Sequence, residues 1–159
     1  MAKGDLVSPY ENVVRLVRHI DFKKGILGAS AFDRPEKDHD GLSVTRRHVL
    51  IPDDDAADLK RIREVLGAWR MLKASHRLAQ ISVGDILAAG AEANRALSVV
   101  EDPIEAEPPK PANPAHALIL GLPFAGAEKG SLDAVMASDL LARKIDPQNV
   151  LPAIEPAIS

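Results

Sequence analysis

Hydrophobic and polar positions alternate over residues 13–20, VVRLVRHI, and this period of two predicts a β-strand. The strand would carry Arg18 on a face that is otherwise aliphatic. A charge in such a position is unfavourable unless it is paired, so we expect Arg18 to meet a carboxylate or to project into a cleft. A second extended pattern covers residues 42–51 and ends at Pro52.

After Pro52 the hydrophobic positions recur at steps of three and four, which predicts an amphipathic helix over residues 56–73. Three consecutive aspartates, residues 53–55, precede it and offer the carboxylates that favour a helix start. Gly67 interrupts the helix at a cost of about 1 kcal/mol relative to alanine, so we expect a closely packed neighbour there. The apolar stripe consists of Leu59, Ile62, Val65, Leu66, Trp69 and Leu72.

The remaining periodic segments are shorter. Residues 78–82 suit either a strand or a connector, and residues 83–96 predict a second, alanine-rich helix. Residues 97–101 predict a strand, and the continuous apolar run at 116–122 predicts a buried one. Residues 131–145 predict a third amphipathic helix with Ser131 as its cap. This order of elements predicts an α+β fold in which a small mixed or antiparallel sheet packs against two to three amphipathic helices.

Two segments rich in proline delimit this domain. Residues 103–114 contain five prolines, which excludes a helix or a central strand and predicts an extended strap on the surface. We therefore expect one α+β domain over residues 1–146 that carries this strap. Residues 147–159 form a tail with three prolines and four aliphatic residues, which we expect to dock on its own domain or on a partner.

Composition narrows the class of protein. The 159 residues are 46% hydrophobic and 27% charged, which suits one compact globular domain. No apolar run approaches the roughly 18–20 residues that cross a bilayer, and the first ten residues lack the apolar core of a signal peptide. We expect a cytoplasmic protein without membrane contact. The absence of cysteine excludes disulfides and thiol nucleophiles.

The charge distribution argues against binding to nucleic acid. Residues 101–159 carry 4 basic and 9 acidic residues, so the last third cannot neutralise phosphates. A basic patch is available only in the first third, from Arg15, Arg18, Lys23, Lys24, Arg46 and Arg47. The helix predicted at 56–73 and the segment that follows it resemble the helix-turn-helix of bacterial regulators. The second helix, however, offers few side chains that could read base edges.

Five polar residues at predicted strand ends and turns are candidates for a shared pocket: Arg18, His19, Ser30, Ser43 and His116. This set places a basic residue on a first strand, a serine on a second strand and a polar residue later in the chain. The arrangement resembles that of the ADP-ribosyltransferase-type split sheet, which binds NAD. The resemblance implies an enzyme or ligand-binding domain that uses Arg18, Ser30, Ser43 and His116, with Glu101 as the catalytic acid. A likeness of fold does not by itself establish function. The alternative is that the histidines are structural and the serines cap turns.

No complete catalytic motif or metal-ligand spacing is present. The five histidines show no HExxH pattern, and the Asp38-His39-Asp40 cluster lies in a predicted loop, so we expect no metal and no cofactor. The acidic last third, the proline strap and the aliphatic tail favour a small accessory, regulatory or immunity-type protein. Such a protein acts through contacts with a protein partner or as a homo-oligomer. The enzyme or ligand-binding domain and the DNA-binding regulator are the alternatives.

Overall fold

The computed structural model describes residues 4–32, 41–122 and 132–154, with the side chains of the last range described from residue 136 onward. The strands are β1 (Asn12–Val17), β2 (Phe22–Lys23), β3 (Ile26–Leu27), β4 (Leu42–Arg46), β5 (Arg77–Ser82), β6 (Ser98–Glu101), β7 (His116–Leu120) and β8 (Val150–Pro152). The α-helices are α1 (Asp55–Trp69), α2 (Val83–Glu92) and α3 (Leu132–Arg143). None of the helices in these ranges is long and apolar enough to cross a bilayer.

Six of these strands form one antiparallel sheet in the order β6-β7-β4-β1-β5-β8, and β2 pairs with β3 in a separate hairpin. The predicted α+β fold is confirmed, and the sheet is antiparallel rather than mixed. Residues 78–82, left open between strand and connector, belong to β5, which pairs with β1 along its whole length.

Strand β1 ends earlier than its hydrophobic pattern indicated. The chain leaves the sheet after Val17 and forms a 3₁₀ turn over His19–Asp21. The buried Asp21 carboxylate accepts a hydrogen bond from the Arg18 backbone N–H at 2.7 Å and so holds the turn. Ile20, expected on the aliphatic face of the strand, is consequently exposed.

Helices cover both faces of the sheet. Because successive side chains of a strand point to opposite faces, β1 contributes to two hydrophobic clusters. Val13 and Val17 pack in the cluster that includes α2 and α3, whereas Val14 and Leu16 pack in the cluster that includes α1. The sheet is therefore the middle layer of the described structure, and each face has its own core.

Helix α1 follows the pattern in the sequence. Asp54 is its N-cap, and its carboxylate accepts a hydrogen bond from Ala57 N at 3.0 Å. Ile62 and Val65 from the predicted stripe are buried against the sheet. The prediction of a closely packed neighbour at Gly67 is wrong. Gly67 is exposed, and a Cβ there would make only an ordinary 3.7 Å contact with a leucine side chain.

A buried ion pair joins the end of β4 to α1. Arg47 Nε lies 3.0 Å from Asp58 Oδ2, and the two side chains are 3% and 0% exposed. Asp58 also accepts hydrogen bonds from the backbone N–H groups of His48, at 2.9 Å, and Ile51, at 3.2 Å. Arg47 further contacts Asp55 and Gln80, so its charge is used inside the fold rather than in a basic surface patch.

The proline strap and the first part of the tail contact the domain. Two antiparallel bridges, Ile104 with Asn113 and Glu107 with Lys110, fold the strap back on itself, so it is not fully extended as predicted. Trp69 Nε1 of α1 donates a hydrogen bond to a strap carbonyl, that of Pro111, at 2.8 Å. In the tail, β8 pairs with β5 as an edge strand, while residues 155–159 lie outside the described residues.

Candidate functional site

One cavity lies between the β2-β3 hairpin, the start of β5, the end of α3 and the chain leading into β8, and we call it the hairpin cavity. Its volume is about 650 Å³. Its apolar lining consists of Phe22, Ile26, Leu27, Ala142, Ile145, Pro147 and Val150. Its basic lining consists of His19, Arg77 and Arg143, and none of the described lining residues is acidic.

The hairpin wall is shaped by its two-residue turn. Lys24 and Gly25 both have positive φ, 53° and 78°, as required by the tight turns that match the twist of paired strands. Phe22 and Leu27 then point back to the main hydrophobic core, and Ile26 remains 72% exposed at the rim. A flexible apolar rim of this kind suits a cavity that receives an apolar group from solvent.

The basic lining residues are anchored in two different ways. Arg77 donates from Nη1 to the carbonyl oxygens of Ala74, at 2.6 Å, and His76, at 2.9 Å. Because these carbonyl groups are neutral, they do not compensate the positive charge of the guanidinium. Arg143 pairs with Asp139 at 2.8 Å in solvent, where such pairs are strongly screened.

The pKa of His76, a residue next to the hairpin cavity, is lowered mainly by burial. His76 stands between Ser75 and Arg77, which both line the hairpin cavity. Burial lowers the pKa of its imidazole, and cationic neighbours lower it further, in order of effect Lys73, Arg18, Arg70 and His19. Its Nδ1 atom accepts a hydrogen bond from Lys73 N at 3.1 Å, which requires that nitrogen to be unprotonated.

The second cavity, which we call the strap cavity, has a volume of about 290 Å³ and lies between α1, the strap and the sheet. Ser43 and Thr45 of β4 and His116 of β7 contribute polar groups from the sheet. The other lining residues are Val14, Arg15, Leu16, Val44, Leu66, Trp69, Arg70, Ile104 and Asn113.

His116 is held in one tautomer. Its Nδ1 atom lies 2.8 Å from the backbone oxygen of Asp102 and 3.2 Å from Oδ2 of the same residue. A carbonyl oxygen can only accept, so Nδ1 carries the proton, and in the neutral form of the ring Nε2 is the acceptor nitrogen. The histidine side chain is 12% exposed.

The five candidates from the sequence are divided among three places. Arg18 and Ser30 meet at the buried Asp21: the Ser30 hydroxyl donates to its carboxylate at 2.8 Å, and Arg18 Nη2 lies 3.8 Å away. Arg18 thus finds the carboxylate that its position predicted, but it lines neither cavity. His19 lines the hairpin cavity, and Ser43 and His116 come together in the strap cavity.

Other predicted groups have contacts within the fold. Glu101 forms an ion pair with Arg46, whose Nε atom also donates to Glu11 at 2.9 Å. The segment between α1 and α2 is strand β5, so the two helices are not joined by the short turn of a helix-turn-helix. No group of three metal-ligating side chains exists within the described ranges, and Asp38-His39-Asp40 lies outside them.

Sequence reasoning missed two arginines of the hairpin cavity and the residue that binds His116. Arg77 and Arg143 occur at the ends of secondary-structure elements, and their cooperation depends on a tertiary approach of β5 and α3 that no local pattern signals. Asp102 carried a weak signal, because it directly follows one predicted strand and His116 opens the next. Polar residues at the facing ends of paired strands are natural partners.

Comparison with known proteins finds no matching family model, no similar curated protein and no similar solved structure. The cavities therefore have to be interpreted from their own chemistry.

Proposed function

We propose that this protein is a binding domain for a small amphipathic anion, which carries a carboxylate or phosphate group on an apolar body, and that the hairpin cavity is its site. The observation that carries the proposal is the lining itself: an apolar cavity of about 650 Å³ with three basic side chains and no acidic one among its described residues. Cavities of about 300–1,000 Å³ with an apolar lining and a few convergent polar groups are typical of small-molecule sites.

The apolar part of the lining supplies most of the binding energy in this proposal. Burying apolar surface contributes about 25 cal/mol per Å², so an aliphatic chain against Phe22, Leu27 and Ile145 is stabilised along its length. The basic residues select the sign of the head group. A cationic ligand would be repelled by the guanidinium groups of Arg77 and Arg143.

The expectation of a protein that acts through contacts with other chains stays a prediction. The strap and the described part of the tail, on which that expectation rested, make hydrogen bonds within this chain. The cavity is the feature that these internal contacts leave open to solvent.

The test is calorimetric titration of the protein with three ligands that share an eight-carbon chain: octanoate, octyl phosphate and octylammonium. We expect both anions to bind and the cation to bind about tenfold more weakly or worse, since several partly screened charge contacts each contribute up to about 1 kcal/mol. The two anions also separate a carboxylate site from a phosphate site. Anion affinity should fall as salt rises from 0.05 to about 0.5 M.

Matched variants locate the site. His19→Gln and Arg143→Gln each remove one exposed basic group from the cavity and should weaken octanoate binding about two- to fivefold. Arg61→Gln is the control, because Arg61 is an exposed arginine paired with Glu64 on α1 and does not line the cavity. Equal affinity for octanoate and octylammonium, or equal effects of Arg61→Gln and Arg143→Gln, would refute the proposal.

A further inference from the structure

In the strap cavity, His116 shares one face of the sheet with two hydroxyl residues. In the register of β4 and β7, Thr45 lies opposite His116 and Ser43 lies opposite Leu118, so both hydroxyl residues share the face of His116. The strand order β6-β7-β4 places Asp102, at the end of β6, on one side of His116 and the hydroxyl residues on the other. Because Nδ1 is bound to Asp102, Nε2 is the ring nitrogen that His116 can offer to the cavity it lines.

This nitrogen is an acceptor that lacks a donor. Among the residues that the structure describes, none donates a hydrogen bond to Nε2 of His116. Buried polar atoms nearly always have a partner, because an unsatisfied acceptor loses its hydration without compensation. A group that enters the cavity with an O–H or N–H donor would supply that partner.

The remaining walls limit what such a group can be. Leu16, Leu66, Trp69 and Ile104 close the cavity from the sheet, from α1 and from the strap. No carboxylate is among the described lining residues that could hold a cation, and the volume of about 290 Å³ admits only a compact molecule. Arg15 and Arg70, which also line the cavity, disfavour a cation. The lining therefore favours a ligand that is mostly apolar, not cationic and equipped with one donor.

We infer that the strap cavity is a second binding site, independent of the anion site, for a compact and mostly apolar molecule whose hydroxyl group donates a hydrogen bond to Nε2 of His116. The Ser43 hydroxyl lies on the same wall and can accept or donate to the same group. The strap forms the outer wall, fixed to α1 by the Trp69 hydrogen bond and by Lys110, whose Nζ atom lies 4.9 Å from the centre of the indole ring.

The experiment compares cyclohexanol with cyclohexanone, two rings of the same size of which only the alcohol is a donor. Trp69 is the only tryptophan in the chain and lines this cavity, so its fluorescence reports on the strap cavity and not on the hairpin cavity. ¹⁵N spectra of the histidine rings report on Nε2 directly. We expect saturable changes in both signals, with cyclohexanol binding about 2- to 12-fold more tightly than cyclohexanone.

His116→Asn isolates the role of Nε2. The asparagine amide nitrogen takes the place of Nδ1 and can still donate to Asp102, but no atom replaces Nε2. The preference for cyclohexanol should then fall to about onefold while the melting temperature is largely kept. His48→Asn is the matched control, since His48 is exposed, lies outside the cavity and has a φ of 62° that asparagine tolerates.

Three results would overturn the inference: a proton on Nε2 in the ¹⁵N spectrum of the free protein, equal affinity for the alcohol and the ketone, or an unchanged preference in His116→Asn. Each is independent of octanoate binding, so this site and the anion site can fail separately.

Discussion

Replacing Asp58 with asparagine removes a buried negative charge on which three donors converge. Asp58 is fully buried and accepts hydrogen bonds from Arg47 Nε and from the backbone N–H groups of His48 and Ile51. Both carboxylate oxygens are used, Oδ2 by Arg47 and His48 and Oδ1 by Ile51. Whichever way the asparagine is turned, its amide group meets a donor where an acceptor is needed.

The expected loss of stability follows from what remains of the ion pair. The Arg47 side chain is 3% exposed, so in the variant its charge stays in the interior. Its remaining partners there are Gln80 and the exposed carboxylate of Asp55. Removing one member of a buried ion pair costs about 3–5 kcal/mol. For a domain of 150–250 residues each kcal/mol corresponds to about 2–4 °C, so we expect Asp58→Asn to lower the melting temperature by about 6–20 °C.

Urea denaturation monitored by circular dichroism measures this loss, with Asp53→Asn as the control. Asp53 is an exposed carboxylate in the same turn, and its replacement should change stability by less than about 0.5 kcal/mol. A double-mutant cycle with Arg47→Met should give a coupling energy, with the double variant losing less than the sum of the two single variants. A loss below about 1 kcal/mol for Asp58→Asn, or additive single effects, would show that the pair does not hold β4 to α1.

Replacement by alanine should have opposite effects on the stability of the fold at two glycines in helices. Gly67→Ala should stabilise the fold by about 0.5–1 kcal/mol, because its position has room for a Cβ. Gly90→Ala should destabilise it by about 1–3 kcal/mol, because the new Cβ would lie 2.8 Å from a backbone oxygen. Denaturation curves of the two variants test this, and effects of the same sign would contradict the packing around them. The pKa of His76 is lowered by burial and then by nearby cations, so as pH falls below about 6.5 the unfolded state takes up the proton first and the fold loses stability. His76→Asn keeps an acceptor for Lys73 N and should make the melting temperature fall less than in the wild type between pH 7.5 and about 5.5; parallel curves would exclude His76 as the cause.

The strength of the local signal explains which elements could be predicted. Helix α1 contains five residues of the predicted apolar stripe and a capping aspartate, and both properties depend only on neighbours in the sequence; the helix ends at Trp69, before Leu72 and the predicted end at residue 73. Residues 78–82 carried too short a pattern to separate a strand from a connector, and only pairing with β1 along six residues decides that they form β5. The end of β1 at Val17 was missed because the competing contact, Arg18 N to Asp21, forms a turn that the alternation of side chains does not show.

The candidate site divides in the same way. That Arg18 meets a carboxylate could be argued from the cost of an unpaired charge on an aliphatic face, but the structure places Arg18 beyond the strand, with its own side chain exposed and Asp21 buried. Strand order and register bring Ser43 and His116 into one cavity and leave Ser30 and His19 outside it. One sequence does not specify either of these properties.

The sequence by itself determined the three helices, the absence of cysteine chemistry and the α+β class, because periodicity and composition act over a few residues at a time. Only the tertiary structure decided where the chemistry lies. Arg77 and Arg143 are 66 positions apart in the numbering, and Asp102 and His116 are 14 apart, yet each pair meets at one cavity wall or one hydrogen bond. Such meetings arise from the packing of β5 against α3 and the pairing of β6 with β7, and the free energy that selects them is a property of the whole fold.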